Sequence, residues 1–518
     1  MISDDIHIER FLNIPLDQVV QQFPRVLDEA VQKAKPGQWI RISFLFGPEY
    51  TYGDGIMALL GHQINKDMLE LAAPNNPVMV RTGLAGMVMN HRGFEEVKKF
   101  YGDQIQQFLP EPEPDTLDNL VGSRAGEGNV EKEKNGVCGV CFRQPEQDVL
   151  YRPEDLTEIY RLNQSWRAAI GLTLNATALY TGGVIRAYNS LDRAGQMATR
   201  FGWAWSWPYR NDFFFDLYFV QATVSRLGQG SDYFWNTGMS PEMGMNCSKL
   251  PGTSPEVKKQ ELPCGYADSD VSRALYEYIK AGGRLAGDHI SADGEIDLIL
   301  DIIERASKDA GMTLDQIRAK RHVAEHMAMW PRPDQIPRIK NLGMMTSGFD
   351  INFYEGNADK VLRAYGERGV LQVQPRKSLY DAGVMNSVEI DRPLSEYTNL
   401  TYFTVLYHGM TKKNREGKVL APQEAISREA MLKSVTLFAA YNVLRETVLG
   451  SLEPGKWTDL IVLDRDYLTI PIDDIPKIRV LMTMVGGKFI HLVPSLAREW
   501  AMQPAGAQVE LGGPASRW

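Results

Sequence analysis

No two of the eight histidines (His7, His62, His91, His289, His322, His326, His408 and His491) are separated by a single residue, so the sequence has no His-x-His pair. That excludes two imidazoles presented side by side on one face of a single strand. Cysteine is scarce as well: four in 518 residues do not make a disulfide framework. Only Cys138 and Cys141 stand at Cys-x-x-Cys spacing, in GVCGVCF, while Cys247 and Cys264 lie far off without repeating it. Ordinary thiols are therefore expected, not a zinc knuckle. The net charge of −9 comes without any long Lys/Arg cluster, which argues against nucleic acid as a partner. No apolar run approaches the ~20 residues needed to span a bilayer, and the opening MISDDIHIERF has neither a basic nor an apolar targeting region. A cytoplasmic protein with no membrane partner is expected.

What is present is ordinary globular composition, 44% hydrophobic and 23% charged, in a chain long enough for a large core. From residue 268 the pattern alternates. SDVSRALYEYIKAGG reads as a capped helix ended by glycines, RLAGDHI as a strand, and ADGEIDLILDIIERASKDAG as an amphipathic helix. RHVAEHMAM then reads as a strand, PDQIPRIKNLG as a helix, MMTSGFDINF as a strand and PRKSLYDAG as a short helix. VMNSVEID follows as a strand and SREAMLKSVTLFAAYNVL as one long helix. Such alternation implies parallel βα units.

His289, His326 and Asp391 each end one of these strands. Barrel enzymes place their chemistry on that face, whereas a doubly wound sheet would normally open with a glycine-rich phosphate turn, and no convincing one follows a strand here. The expected fold is therefore α/β, a (β/α)8 TIM-like barrel with a small β-sandwich appendage. The barrel is expected over 1–449 with an α/β insertion near 16–110, the small β domain over 450–500 and a tail over 501–518. Segment 112–135, acidic and bearing Pro and Gly, reads as a surface loop.

Several segments together resemble the amidohydrolase superfamily, in the subgroup that contains N-substituted formamide deformylases. They are KPGQWIR, APNNPVMVR, AGGRLAGDHISADGEIDLILDIIERA, RHVAEHMAMWPRPDQIPRIKNLGMM, KSLYDAGV, SVEIDRP and GSLEPGKWTDLIVLDRDYLTIPIDDIPKIRVLMTMVGGKFI. The resemblance implies a barrel with a divalent metal at its carboxyl mouth and a β-sandwich built from both chain ends. It also implies a metal held by a His-x-His on the first strand, a later Lys or Glu, a His on strand five, a His on strand six and an Asp on strand eight. His289, His326 and Asp391 match the last three; the first pair and the bridging residue have no counterpart, and Ala85 stands where a further His would fall. Two expectations follow. Either an upstream segment or a partner chain supplies the first strand, or residues 1–15 build a substitute with altered chemistry.

Two imidazoles and a carboxylate suit zinc or a similar divalent ion, and three protein ligands with an open position is the catalytic arrangement. Asp391 would also accept the proton of the attacking water, in hydrolysis of an amide, formamide or related carbon–nitrogen bond. His322, four residues before His326, would share its strand face and serve packing or a supporting hydrogen bond, or touch substrate. Asp350 would contact substrate or cap a loop. FGWAWSWPYRNDFFFDLYF concentrates Trp203, Trp205, Trp207, Tyr209 and Phe213–Phe215 before Asp216, and with Trp235 and Trp330 near other strand ends it suggests a pocket for an aromatic or apolar small molecule. The rival expectations are a lyase or decarboxylase on the same barrel, and a non-catalytic subunit of a hetero-oligomeric amidohydrolase. Homo-oligomerisation is expected by analogy with large barrel hydrolases.

Overall fold

The computed structural model describes residues 6–8, 16–45, 63–82, 86–101, 137–138, 153–179, 181–206, 217–241, 248–250, 252, 270–287, 289–290, 292–391 and 401–508. The fold is mixed α/β. Near the N-terminus, β1 (Ile6–Ile8), β2 (Ile40–Leu45), β3 (Val78–Thr82), β4 (Gly86–Met89) and β5 (Val137–Cys138) form one sheet in that order. β1, β2 and β3 run parallel, and β4 and β5 are added antiparallel. Helix Leu16–Lys33 covers it with Val19, Phe23, Val26, Leu27 and Ala30, a stripe at helical spacing that packs on Ile40, Ile42, Val78 and Val80.

The βα alternation builds two further parallel sheets. One contains β6 (Leu174–Leu179), β7 (Arg200–Ser206) and β8 (Phe234–Ser240); the other contains β9 (Val323–Ala324), β10 (Met345–Gly348) and β11 (Asn386–Val388). Between them lie residues 285–287 and 289–290, joined to β8 by a parallel bridge at Met239–Leu285 and to the chain after β9 by one at His289–Glu325. Seven parallel segments thus lie in a row. Among the described residues, no strand pairs with the outer edge of β6 or of β11.

Helices Asp270–Lys280 and Asp293–Asp309 bury Ala274, Leu275, Ile279, Ile296, Ile299 and Ile303 against this row. At the amino ends of the strands, the buried Arg284 donates to the carbonyls of Thr237, Lys320 and Asn442 at 2.7–2.8 Å. One cation therefore satisfies three carbonyls from three separate stretches of chain.

After Gly450 the chain forms an antiparallel sheet, β12 (Leu460–Leu463), β13 (Val480–Val485) and β14 (Lys488–Leu492). The β13–β14 turn is Gly486–Gly487, with φ of 58° and 76°, which residues with a Cβ rarely adopt in succession. This sheet packs on helix Pro153–Ala169, where Thr483 Oγ1 donates to the Ala168 carbonyl. Arg200 of β7 ties it to the strand row through a buried bidentate pair with Asp459, at 2.7 and 3.0 Å.

Some expected elements change shape. The one long helix after Ser427 is two, Arg428–Val435 and Leu437–Asn442, broken at Thr436, whose hydroxyl bonds back to the Leu432 carbonyl. That local side-chain bond competes with helical propagation. MMTSGFDINF leaves extended geometry after Gly348, and Ile351–Tyr354 is helical. β9 stops at Ala324, because His326 and Met327 take left-handed φ of 79° and 41°. Segment 112–135 and the tail from 509 lie outside the described residues. Among the described residues, no helix is long and apolar enough to cross a membrane.

Candidate metal centre

Residues 289–290, the chain after β9 and the chain after β11 bring His289, His326 and Asp391 to one end of the row, each with one ligand atom within 4.8 Å of the others. The imidazoles of His289 and His326 meet nearly at right angles with centroids 4.0 Å apart, and His326 Nε2 stands 3.8 Å from Asp391 Oδ2. Two donors bound to one ion at ~2.0–2.2 Å are at most about 4.4 Å apart, so a small side-chain adjustment lets one divalent ion meet all three. The donor set of two imidazoles and a carboxylate suits a transition ion.

Each imidazole also faces a carboxylate that the sequence analysis did not single out. Glu389 Oε1 accepts the His326 backbone N–H at 2.6 Å and lies 2.8 Å from His326 Nδ1; Glu325 Oε1 lies 3.4 Å from His289 Nδ1. At His326 this carboxylate on Nδ1 fixes the tautomer and leaves Nε2 as the donor, the arrangement that orients metal-binding histidines. Burial works against a charged His326 ring, but Glu389, with Asp391 and Glu325, more than offsets it and raises the pKa to about 9. Signals for both carboxylates were available: Glu389 precedes Asp391 by two positions, strand-face spacing, and Glu325 adjoins His326.

Around the centre the structure builds support. Trp330 is fully buried and its Nε1 donates to the Ile290 carbonyl at 2.6 Å, pinning the chain next to His289. The buried Asp293 accepts from Ser248 Oγ, from the Lys249 N–H and from Arg332, joining the chain after β8, after 290 and after β9.

The remaining expected residues distribute unevenly. Trp205, at the carboxyl end of β7, packs edge-on against Trp203 with centroids 4.9 Å apart, and its indole N–H is buried without a partner among the described residues. Trp203 is buried among Tyr188, Phe201 and Phe234. Trp235 lies at the amino end of β8, fully buried, with Nε1 donating to the Val443 carbonyl; this corrects the expectation that it lines a pocket at the carboxyl ends. The packing role of Trp330 likewise replaces the expected substrate contact. Asp350 is wholly buried in an ion pair with Arg376, with Lys412 Nζ 3.6 Å away, so it faces the interior and not a substrate. Trp207, Tyr209, Phe213–Phe215, Asp216, Ala85, Cys141, Cys247 and Cys264 fall outside the described residues.

His322 does not share the surroundings of His326. It is buried, and its Nδ1 accepts the Leu285 N–H at 3.0 Å. Burial, helped by the nearby Arg284 and Lys320, holds its pKa down to about 3 from 6.5. The folded value lies below the unfolded one, so the stability this neutral ring confers is fully present above pH 6.5 and is lost as pH falls toward 3. Between pH 6.5 and 5 the expected loss is about 2 kcal/mol. Urea denaturation at the two pH values should show it in the native protein and a smaller drop in His322→Gln, which keeps an acceptor without a titrating ring.

With this geometry in place, comparison with known proteins gives a consistent result. Residues 261–491 match the amidohydrolase family model. The chain is 24% identical over 484 residues to the N-substituted formamide deformylase of Arthrobacter pascens, covering 91% of this chain and 82% of that protein. An uncharacterized metal-dependent hydrolase from Pyrococcus horikoshii OT3 has the same overall fold, with TM-score 0.61 and 16% identity over 90% of this chain and 86% of that one. A second, from Pyrococcus furiosus, gives TM-score 0.57 and 18% identity over the same shares. The stretch that matches this model, residues 261–491, is the one that carries His289, His326 and Asp391.

Proposed function

We propose that this protein is a metal-dependent hydrolase of carbon–nitrogen bonds, acting on an amide, formamide or related bond in a hydrophobic or aromatic small molecule. The observation that carries the reading is the convergence of His289, His326 and Asp391 within 4.8 Å, with a carboxylate set against each imidazole. One divalent ion, zinc by ligand type, fits this set. When bound, such an ion supplies Lewis acidity toward a carbonyl oxygen and toward water.

The protein's own groups divide the remaining work. Glu389 holds His326 so that Nε2 faces Asp391. Asp391, the most exposed of the three at 34%, is placed to accept a proton from the attacking water and return it to the leaving nitrogen. Trp205, whose N–H has no partner among the described residues and which lies at the same end of the strand row, is the described aromatic residue best placed to meet a substrate. The seven parallel segments support reading the row as most of a (β/α)8 barrel with its mouth at the metal centre. The relative from Arthrobacter pascens supports the bond class through its name, N-substituted formamide deformylase.

Elemental analysis of the purified protein tests this directly. About one transition metal per chain is expected, falling to near zero in His289→Ala and His326→Ala. Absence of metal in the native protein after supplementation with Zn²⁺ would sink the reading.

A further inference from the structure

His326 carries the centre on an uphill piece of backbone. It and Met327 both take left-handed φ, at 79° and 41°, which residues with a Cβ hold only when their surroundings impose it. Glu389 grips the amide side of this turn through the His326 N–H. The carbonyl side is gripped by Gln374. Its Nε2 donates to the carbonyls of both His326 and Met327, the latter at 3.0 Å, and its backbone N–H donates again to the Met327 carbonyl at 3.2 Å.

Gln374 is itself fixed from behind. It is fully buried with φ of 55°, and its carbonyl accepts Lys412 Nζ at 2.8 Å and the Arg376 N–H at 2.7 Å. Arg376 and Lys412 both face Asp350, and the Arg376 guanidinium also binds Asn386, whose Nδ2 approaches Met327 Sδ at 3.2 Å. Space is tight: a Cβ on Gly348 would lie 2.7 Å from Gln374 Oε1. The amide thus lies against the end of β10.

We propose that Gln374 is a positioning residue of the metal centre, whose side-chain amide locks the left-handed turn at 326–327 and so aims His326 Nε2 at Asp391. The inference rests on the metal-site reading above. It assigns Gln374, 48 residues from His326 in sequence, a role through His326 and no contact with substrate.

The test uses Co²⁺ as probe, because its visible absorption reports ligand geometry as well as occupancy. In Gln374→Met, shown to be folded by circular dichroism, Co²⁺ affinity should fall about 10- to 100-fold with an altered visible spectrum, the size expected when a group that orients a ligand is lost. Gln374→Asn, which keeps a buried amide but is one methylene too short to reach both carbonyls, provides a milder variant and should show a smaller change of the same kind. If the native protein binds Co²⁺ and both variants bind it equally well with the native spectrum, the inference is overturned and the metal site stands. If the native protein binds no Co²⁺, the metal-site reading fails and the inference with it.

Discussion

Asp391→Asn is expected to lower turnover by at least two orders of magnitude while leaving the fold intact. The side chain would serve both as a ligand and as the acceptor of the water proton; an amide oxygen is a poor ligand for zinc and does not take the proton at neutral pH. General-base removal alone is worth about 10²- to 10⁴-fold. Asparagine is the replacement of choice because Asp391 has φ of 41°, and Asn tolerates that conformation nearly as well as Asp. Turnover of an N-substituted formamide and metal content, measured on the same preparation, separate the two roles. Lost turnover with metal retained points to proton transfer, and lost turnover with lost metal points to coordination. A variant with native turnover would remove Asp391 from the chemistry and favour a binding or scaffolding role for the chain.

Asp350→Ala should be the most destabilising single substitution around the centre, at about 3–5 kcal/mol, because it leaves the Arg376 and Lys412 cations buried without their carboxylate. The three side chains are at most 1% exposed, so solvent screens little of this cost. Arg376 holds Asp350 well below the usual carboxylate range despite burial, which alone would raise it; the carboxylate is thus charged at neutral pH. Lys412→Met should cost less, since Arg376 still satisfies Asp350. Urea denaturation with an unchanged slope and a lowered midpoint would give the ranking. Equal stability of Asp350→Ala and the native protein would show that the network is not what holds this part of the fold.

The three candidate donors were legible because each signal is local. A polar residue that ends a run of β-branched and apolar residues, followed by a helical pattern, marks the carboxyl end of a strand whatever the rest of the chain does. His289, His326 and Asp391 all carry that mark, and they converge. The alternation of strands and helices after residue 268 was legible for the same reason, because periodicity and turn residues act within a few positions of themselves.

What the sequence could not settle was where each polar or aromatic side chain finds its partner. Asp350 follows a strand just as the three candidate donors do, yet it turns into the core, because Arg376 and Lys412, 26 and 62 residues further on, fold back to meet it. Trp235 reads like the other tryptophans, but the carbonyl that satisfies it belongs to Val443, 208 residues away. Gln374 carries no pattern of its own, and its work at His326 exists only once the chain after β10 has returned beside β9. Periodicity, capping and turn chemistry are short-range and are written along the chain. Burial and hydrogen-bond satisfaction depend on atoms brought together from distant positions, and only the tertiary structure decides them.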